Sequence, residues 1–92
     1  MRIGQFNKQP GERESFTITY EDALTAGDNV QAATASVTPA GLLLEQITVL
    51  DPRVKFYAKG GTSGVTYKVT FDVTTVDGRV IQDEVLIKVK EL

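Results

Sequence analysis

The stretch VTYKVTFDVTT, residues 65–75, alternates apolar and polar side chains without a break. Such a period of two constrains this chain more than any other feature, because side chains on an extended strand point to opposite faces in turn. Val65, Tyr67, Val69, Phe71 and Val73 fall on one face, and Thr66, Lys68, Thr70, Asp72 and Thr74 on the other. The pattern recurs in SFTITY (15–20), which groups Phe16, Ile18 and Tyr20, and in VKFYA (54–58), which groups Val54, Phe56 and Ala58. EVLIKVK (84–90) groups Val85, Ile87 and Val89 in the same way. One dry face and one wet face is the pattern of antiparallel sheets.

Two segments are less regular. DNVQAATASV (28–37) is alanine-rich and reads as a strand packing small side chains under a neighbouring sheet. LLLEQITVL (42–50) reads as a strand with Leu42, Leu44, Ile47 and Val49 inward, which requires a bulge or a change of face. YEDAL (20–24) is long enough for one helical turn, stopped by AGDN (26–29). Turn signals at QPGE, AGDN, PAG, DP, KGGTSG and DGR separate the runs. Six to seven short strands so spaced predict one all-β domain, an antiparallel β-sandwich over 13–92. The segment 1–12 is polar and lacks alternation, and is expected to be a flexible N-terminal arm. Its Ile3 and Phe6 would anchor it if it docked on a neighbouring subunit.

KGGTSG (59–64) poses a choice between a phosphate-cradling loop and a turn. A phosphate loop needs backbone amides at a helix N-terminus, usually with a lysine after the glycines. Here a strand follows and Lys59 precedes. In an antiparallel pair, opposite residues share a face. Pairing Phe56 with Tyr67, Val54 with Val69 and Ala58 with Val65 aligns three inward pairs with no bulge, so the segment reads as a hairpin loop. For VDGR the same test rejects a two-residue Asp-Gly turn, which would set Phe71 against Glu84. A three-residue loop, Val76-Asp77-Gly78, pairs Val73 with Ile81, Val69 with Val85 and Tyr67 with Ile87, with Gly78 in a left-handed bulge position. It leaves Asp83 opposite Phe71, a conflict that a second bulge near 82–84 or a place at an open edge would relieve.

Composition removes most chemistry. The chain has no cysteine and no histidine, which excludes disulfides, thiolate or histidine zinc sites, and every Ser-His or Cys-His arrangement. Its net charge is −2 and its basic residues are scattered singly among acids, so no nucleic-acid partner is expected. No apolar run approaches membrane-spanning length, and MRIGQFNKQPGE lacks the apolar core of a secretory signal. No membrane partner is expected, and maturation in a reducing compartment, or in an assembly built there, is. Asp83 and Glu84 point to opposite faces and cannot share a substrate. Glu21, Asp22 and Asp28 could supply oxygens to calcium, and solvated loop acids account for them as well. No catalytic, cofactor or metal site is expected. Leu86 and Tyr57 fall on the wet faces of their strands and are candidate partner anchors.

SVTPAGLLLEQITV followed by VKFYAKGGTSGVTYKVTFDVTTVDGRVIQDEVLIKV resembles the small Ig-like fiber-tail adaptor proteins of tailed bacteriophages. The elements that carry the resemblance are Pro39-Ala40-Gly41, Gly60-Gly61-Thr62-Ser63-Gly64, Tyr67, Thr74-Thr75, Gly78-Arg79 and the run Leu86 to Val89. It covers residues 36–90. It implies an Ig-like sandwich and a non-enzymatic structural protein at the virion tail or neck, assembled in the bacterial cytoplasm. Other virion proteins of the tail, neck or fiber would be its partners, and repetition around the virion axis would make it a homo-oligomer. The loop tips Gly60, Gly61, Thr62, Ser63 and Gly64, and Val76, Asp77 and Gly78, would be its contact points. The competing reading is a carbohydrate- or cell-surface-binding Ig-like module, which would need an open aromatic ring among Tyr20, Tyr57 and Tyr67.

Overall fold

The computed structural model describes residues 3–91, with Ile3 described at its backbone only. Seven strands follow one another: β1 (Ile3–Lys8), β2 (Arg13–Thr19), β3 (Val30–Thr38), β4 (Leu42–Leu50), β5 (Arg53–Gly60), β6 (Thr66–Thr75) and β7 (Val80–Val89). A single 3-10 turn, Glu21–Ala23, sits in the region that suggested a helical turn. The strands form two sheets, β1-β7-β6-β3 and β2-β5-β4. Their apolar faces meet in a common core, so the all-β sandwich read from alternation is what the chain adopts.

The core is built from the residues that the alternation places inside: Ile18, Val54, Phe56, Ala58, Val69, Phe71, Val73, Val85, Ile87 and Val89 are all buried. The four phenylalanines form a row that joins the sheets. Phe6 stacks on Phe16 with centroids 4.6 Å apart, Phe16 meets Phe56 at 5.7 Å, and Phe56 meets Phe71 at 5.0 Å. Phe6 and Phe71 belong to one sheet, and Phe16 and Phe56 to the other. Removing a ring such as Phe71 would cost about 3–5 kcal/mol.

The β6–β7 hairpin has the register inferred from the three-residue loop, with Val73 opposite Ile81, Val69 opposite Val85 and Tyr67 opposite Ile87. Gly78 takes φ +87° and its amide donates to the Thr75 carbonyl at 3.0 Å, closing the turn. The bulge demanded by β4 is also present. Glu45 faces Tyr57 while Thr48 faces Lys55, so one extra residue lies between them, and Gln46 has φ +49°. Leu44 and Ile47 can therefore both turn toward the core.

Three expectations are corrected. First, β5 and β6 do not pair. β5 lies between β2 and β4, whereas β6 lies between β3 and β7. Residues 59–64 thus form a crossover between sheets and not a hairpin loop. The parity argument could not distinguish the two, because strands facing each other across a sandwich also direct matching positions inward. Second, β1 lies inside the segment read as a flexible arm, and it runs parallel to β7, with Gly4 opposite Val85 and Phe6 opposite Ile87. The chain then crosses to the other sheet through a turn closed by the Glu12 amide on the Gln9 carbonyl at 3.1 Å. Six residues with a single aromatic give too short an alternation to signal a strand. Third, Asp83 is neither bulged nor at an open edge. The β6–β7 ladder runs through it unshifted, Asp83 is buried opposite Phe71, and the Glu84 amide donates to its carboxylate at 3.0 Å.

Candidate partner interface

The surface residues singled out by sequence do not converge. Phe6 faces the core and stacks on Phe16. The Ile3 side chain lies outside the described part of the structure. Leu86 is half-buried on the outer face of the four-stranded sheet, between Gln5 of β1 and Lys68 of β6. Tyr57 is half-buried on the outer face of the other sheet. The two glycine-containing loops lie at opposite ends of β6.

The crossover loop is built into the fold. The Tyr67 hydroxyl accepts the Thr62 amide at 2.9 Å, the Gly61 amide donates to the Gly41 carbonyl at 3.1 Å, and the Gly64 amide donates to the Val89 carbonyl at 2.9 Å. Gly61 takes φ +97°, and a Cβ there would lie 2.8 Å from a Val89 methyl. Beside this loop Lys8 is buried, with its ammonium donating to the carbonyls of Gln9 and Gly60 at 2.6 Å each. Burial lowers its pKa from the ordinary lysine value, against the opposing pull of Glu12 and Glu14. A scattered cation in the sequence is thus a structural brace. With Lys88 and Lys90 it borders an open groove of about 380 Å³.

Asp28 does comparable work at the other end. It is buried, and its carboxylate accepts the amides of Asn29 at 2.9 Å and Asp77 at 3.0 Å. The Val76 amide donates to the Asn29 carbonyl at 2.9 Å, and Arg79 donates to the Ala23 carbonyl at 3.0 Å. Burial alone would raise the Asp28 pKa. The Thr75 hydroxyl, the two amides and the Arg79 charge outweigh it, so the pKa lies below the ordinary carboxylate value. Asp51, read only as part of a turn, accepts the Val30 amide at 2.8 Å. Among the described residues no group of three or more acidic side chains gathers to hold a metal; Asp28 is buried, whereas Glu21 and Asp22 are exposed.

What the sequence reading missed is the outer face of β2-β5-β4. β5 turns Arg53, Lys55, Tyr57 and Lys59 outward, and β2 sets Arg13 opposite Lys59. From β4, Leu43 lies opposite Lys59, Glu45 opposite Tyr57 and Leu50 opposite Arg53. Cations that are scattered along the sequence therefore gather in space, four against the single acid Glu45. The Arg13 guanidinium lies 4.0 Å over the Tyr57 ring and pairs with Glu45 at 2.9 Å, while the Lys55 ammonium is 5.3 Å from the same ring. Leu43 and Leu50 are 56% and 47% exposed on this face. The period of two in β5 was a possible signal, but its meaning depends on which strands flank it. The outer face of the four-stranded sheet is balanced by contrast: Lys68 meets Glu84 at 3.6 Å, and Asp72 accepts from Gln82 at 3.1 Å.

No curated protein matches the chain in sequence. A family model described as podophage GP4 fiber-tail adaptor protein gp77 matches residues 8–88, a span that takes in β2 to β6 entirely and nearly all of β7. The chain belongs to this family of fiber-tail adaptor proteins.

Proposed function

We propose that this chain is a non-enzymatic structural component of a tailed-phage virion, joining tail and fiber proteins at the tail or neck. The observation that carries the reading is the family match, which extends over almost the whole sandwich. Two features support it. The buried ionisable residues Lys8 and Asp28 are tied to backbone groups that hold loops in place. The strand order, with Tyr67 bonded back to the loop before its own strand, supports an Ig-like sandwich, a scaffold that presents surfaces and loops to partners.

Tyr57 and Leu86 are the contact residues we assign to this role, on opposite faces, with the tips 60–64 and 76–78 at opposite ends. The sugar-binding alternative needs an open ring. Tyr20 and Tyr67 are buried and Tyr57 lies under Arg13, which favours the adaptor. Assembly would take place in the host cytoplasm, with copies repeated around the tail axis. Mass spectrometry of purified virions, together with electron microscopy of particles grown without the gene, tests this reading. The chain should be present in wild-type virions, and particles made without it should lack fibers. Its absence from purified wild-type virions would overturn the proposal.

A further inference from the structure

The outer face of β2-β5-β4 departs most from the rest of the molecule. On a chain of net charge −2, it presents four cations and one acid, flanked by exposed leucines on the β4 side. From this geometry we infer that the face docks an acidic, extended protein segment carrying an apolar side chain. This deepens the adaptor reading and rests on it for the natural source of the segment.

Charge complementarity points to an acidic occupant, since Lys55, Lys59 and Arg53 have no acid opposite them on either neighbouring strand. Arg13 is already held over Tyr57 by ring and carboxylate contacts, so little of its freedom remains to be lost on binding. Tyrosine and arginine at the centre of a patch are the residue types that most often dominate interface energies. Leu43 and Leu50 distinguish a protein segment from a nucleic acid, because a phosphate backbone gains nothing from exposed leucines. Size indicates an extended segment. Three strands, with seven residues in β2, span roughly 300 Å², well under the about 800 Å² per partner of a standard globular interface.

The test is a titration of the purified chain, followed by amide NMR, with a short Asp/Glu peptide carrying two leucines and separately with oligothymidylate of equal charge. The peptide should shift amides of Leu43, Lys55, Tyr57 and Lys59, and weaken as salt is added. The exposed substitutions Lys55→Gln and Lys59→Gln together should reduce its affinity about three- to tenfold. Lys88→Gln with Lys90→Gln should leave it unchanged. Absence of peptide binding, shifts centred on Lys88 and Lys90, or tighter binding of oligothymidylate than of peptide would each overturn the inference. None of these results bears on whether the chain is in the virion, so the two proposals fail separately.

Discussion

The two ends of the sandwich are fastened by different chemistry. At one end, residues 60–64 cross between the sheets, held by backbone amides, by the Tyr67 hydroxyl and by a glycine packed against Val89. At the other, the β6–β7 turn is tied to the loop before β3 by the Asp28 carboxylate and the Arg79 guanidinium. The first joint combines shape and neutral hydrogen bonds with one ammonium, Lys8 on the Gly60 carbonyl, whereas the second is tied by a carboxylate and a guanidinium. Two glycines that look alike in the sequence, Gly61 and Gly78, are consequently not equivalent.

Substitutions separate the joints. Gly61→Ala combines a left-handed backbone with a methyl 2.8 Å from Val89, and should destabilise by roughly 3 kcal/mol in urea unfolding. Tyr67→Phe leaves the Thr62 amide without its acceptor and should cost about 1–2 kcal/mol, independent of pH in the acid range. Gly78→Ala meets only the left-handed φ, with open space where the Cβ would lie, and should cost about 1 kcal/mol. If Gly61→Ala and Gly78→Ala proved equal, the steric distinction between the ends would fail.

The smallest effect should be the one that depends on pH. Because the Asp28 pKa is depressed in the folded state, its contribution is fully present above the ordinary carboxylate value of 3.8 and is lost as pH falls through the folded value. Asp28→Asn should therefore reduce stability slightly at neutral pH and flatten its decline in acid. An unchanged acid profile in this variant would show that the charged joint does not act through Asp28.

The inside–outside pattern was legible in the sequence because alternation reports directly on which face is wet, and this held from Phe16 through Val89. The β6–β7 register was legible because its loop is short and only one length kept Val73 and Ile81 together. The sheet to which β5 belongs was not, since matching positions face inward whether two strands pair edge to edge or oppose each other across a core. For the same reason the cationic face could not be read: Arg13 and Lys59 are far apart in sequence, and only the β2–β5 pairing makes them neighbours. Lys8 and Asp28 look like surface charges because their partners are backbone groups, which leave no mark in the side-chain sequence.

The bulge in β4 has a consequence for how the gene can change. Within a regular strand, loss of one codon turns every later side chain to the wrong face. Here the extra residue already divides Leu42 and Leu44 from Ile47 and Val49, so excising Gln46 would join the two halves into one uninterrupted alternation. This edge strand thus contains a position where a single-residue deletion leaves each core residue facing inward, and length variation among relatives can arise inside a strand as well as in loops.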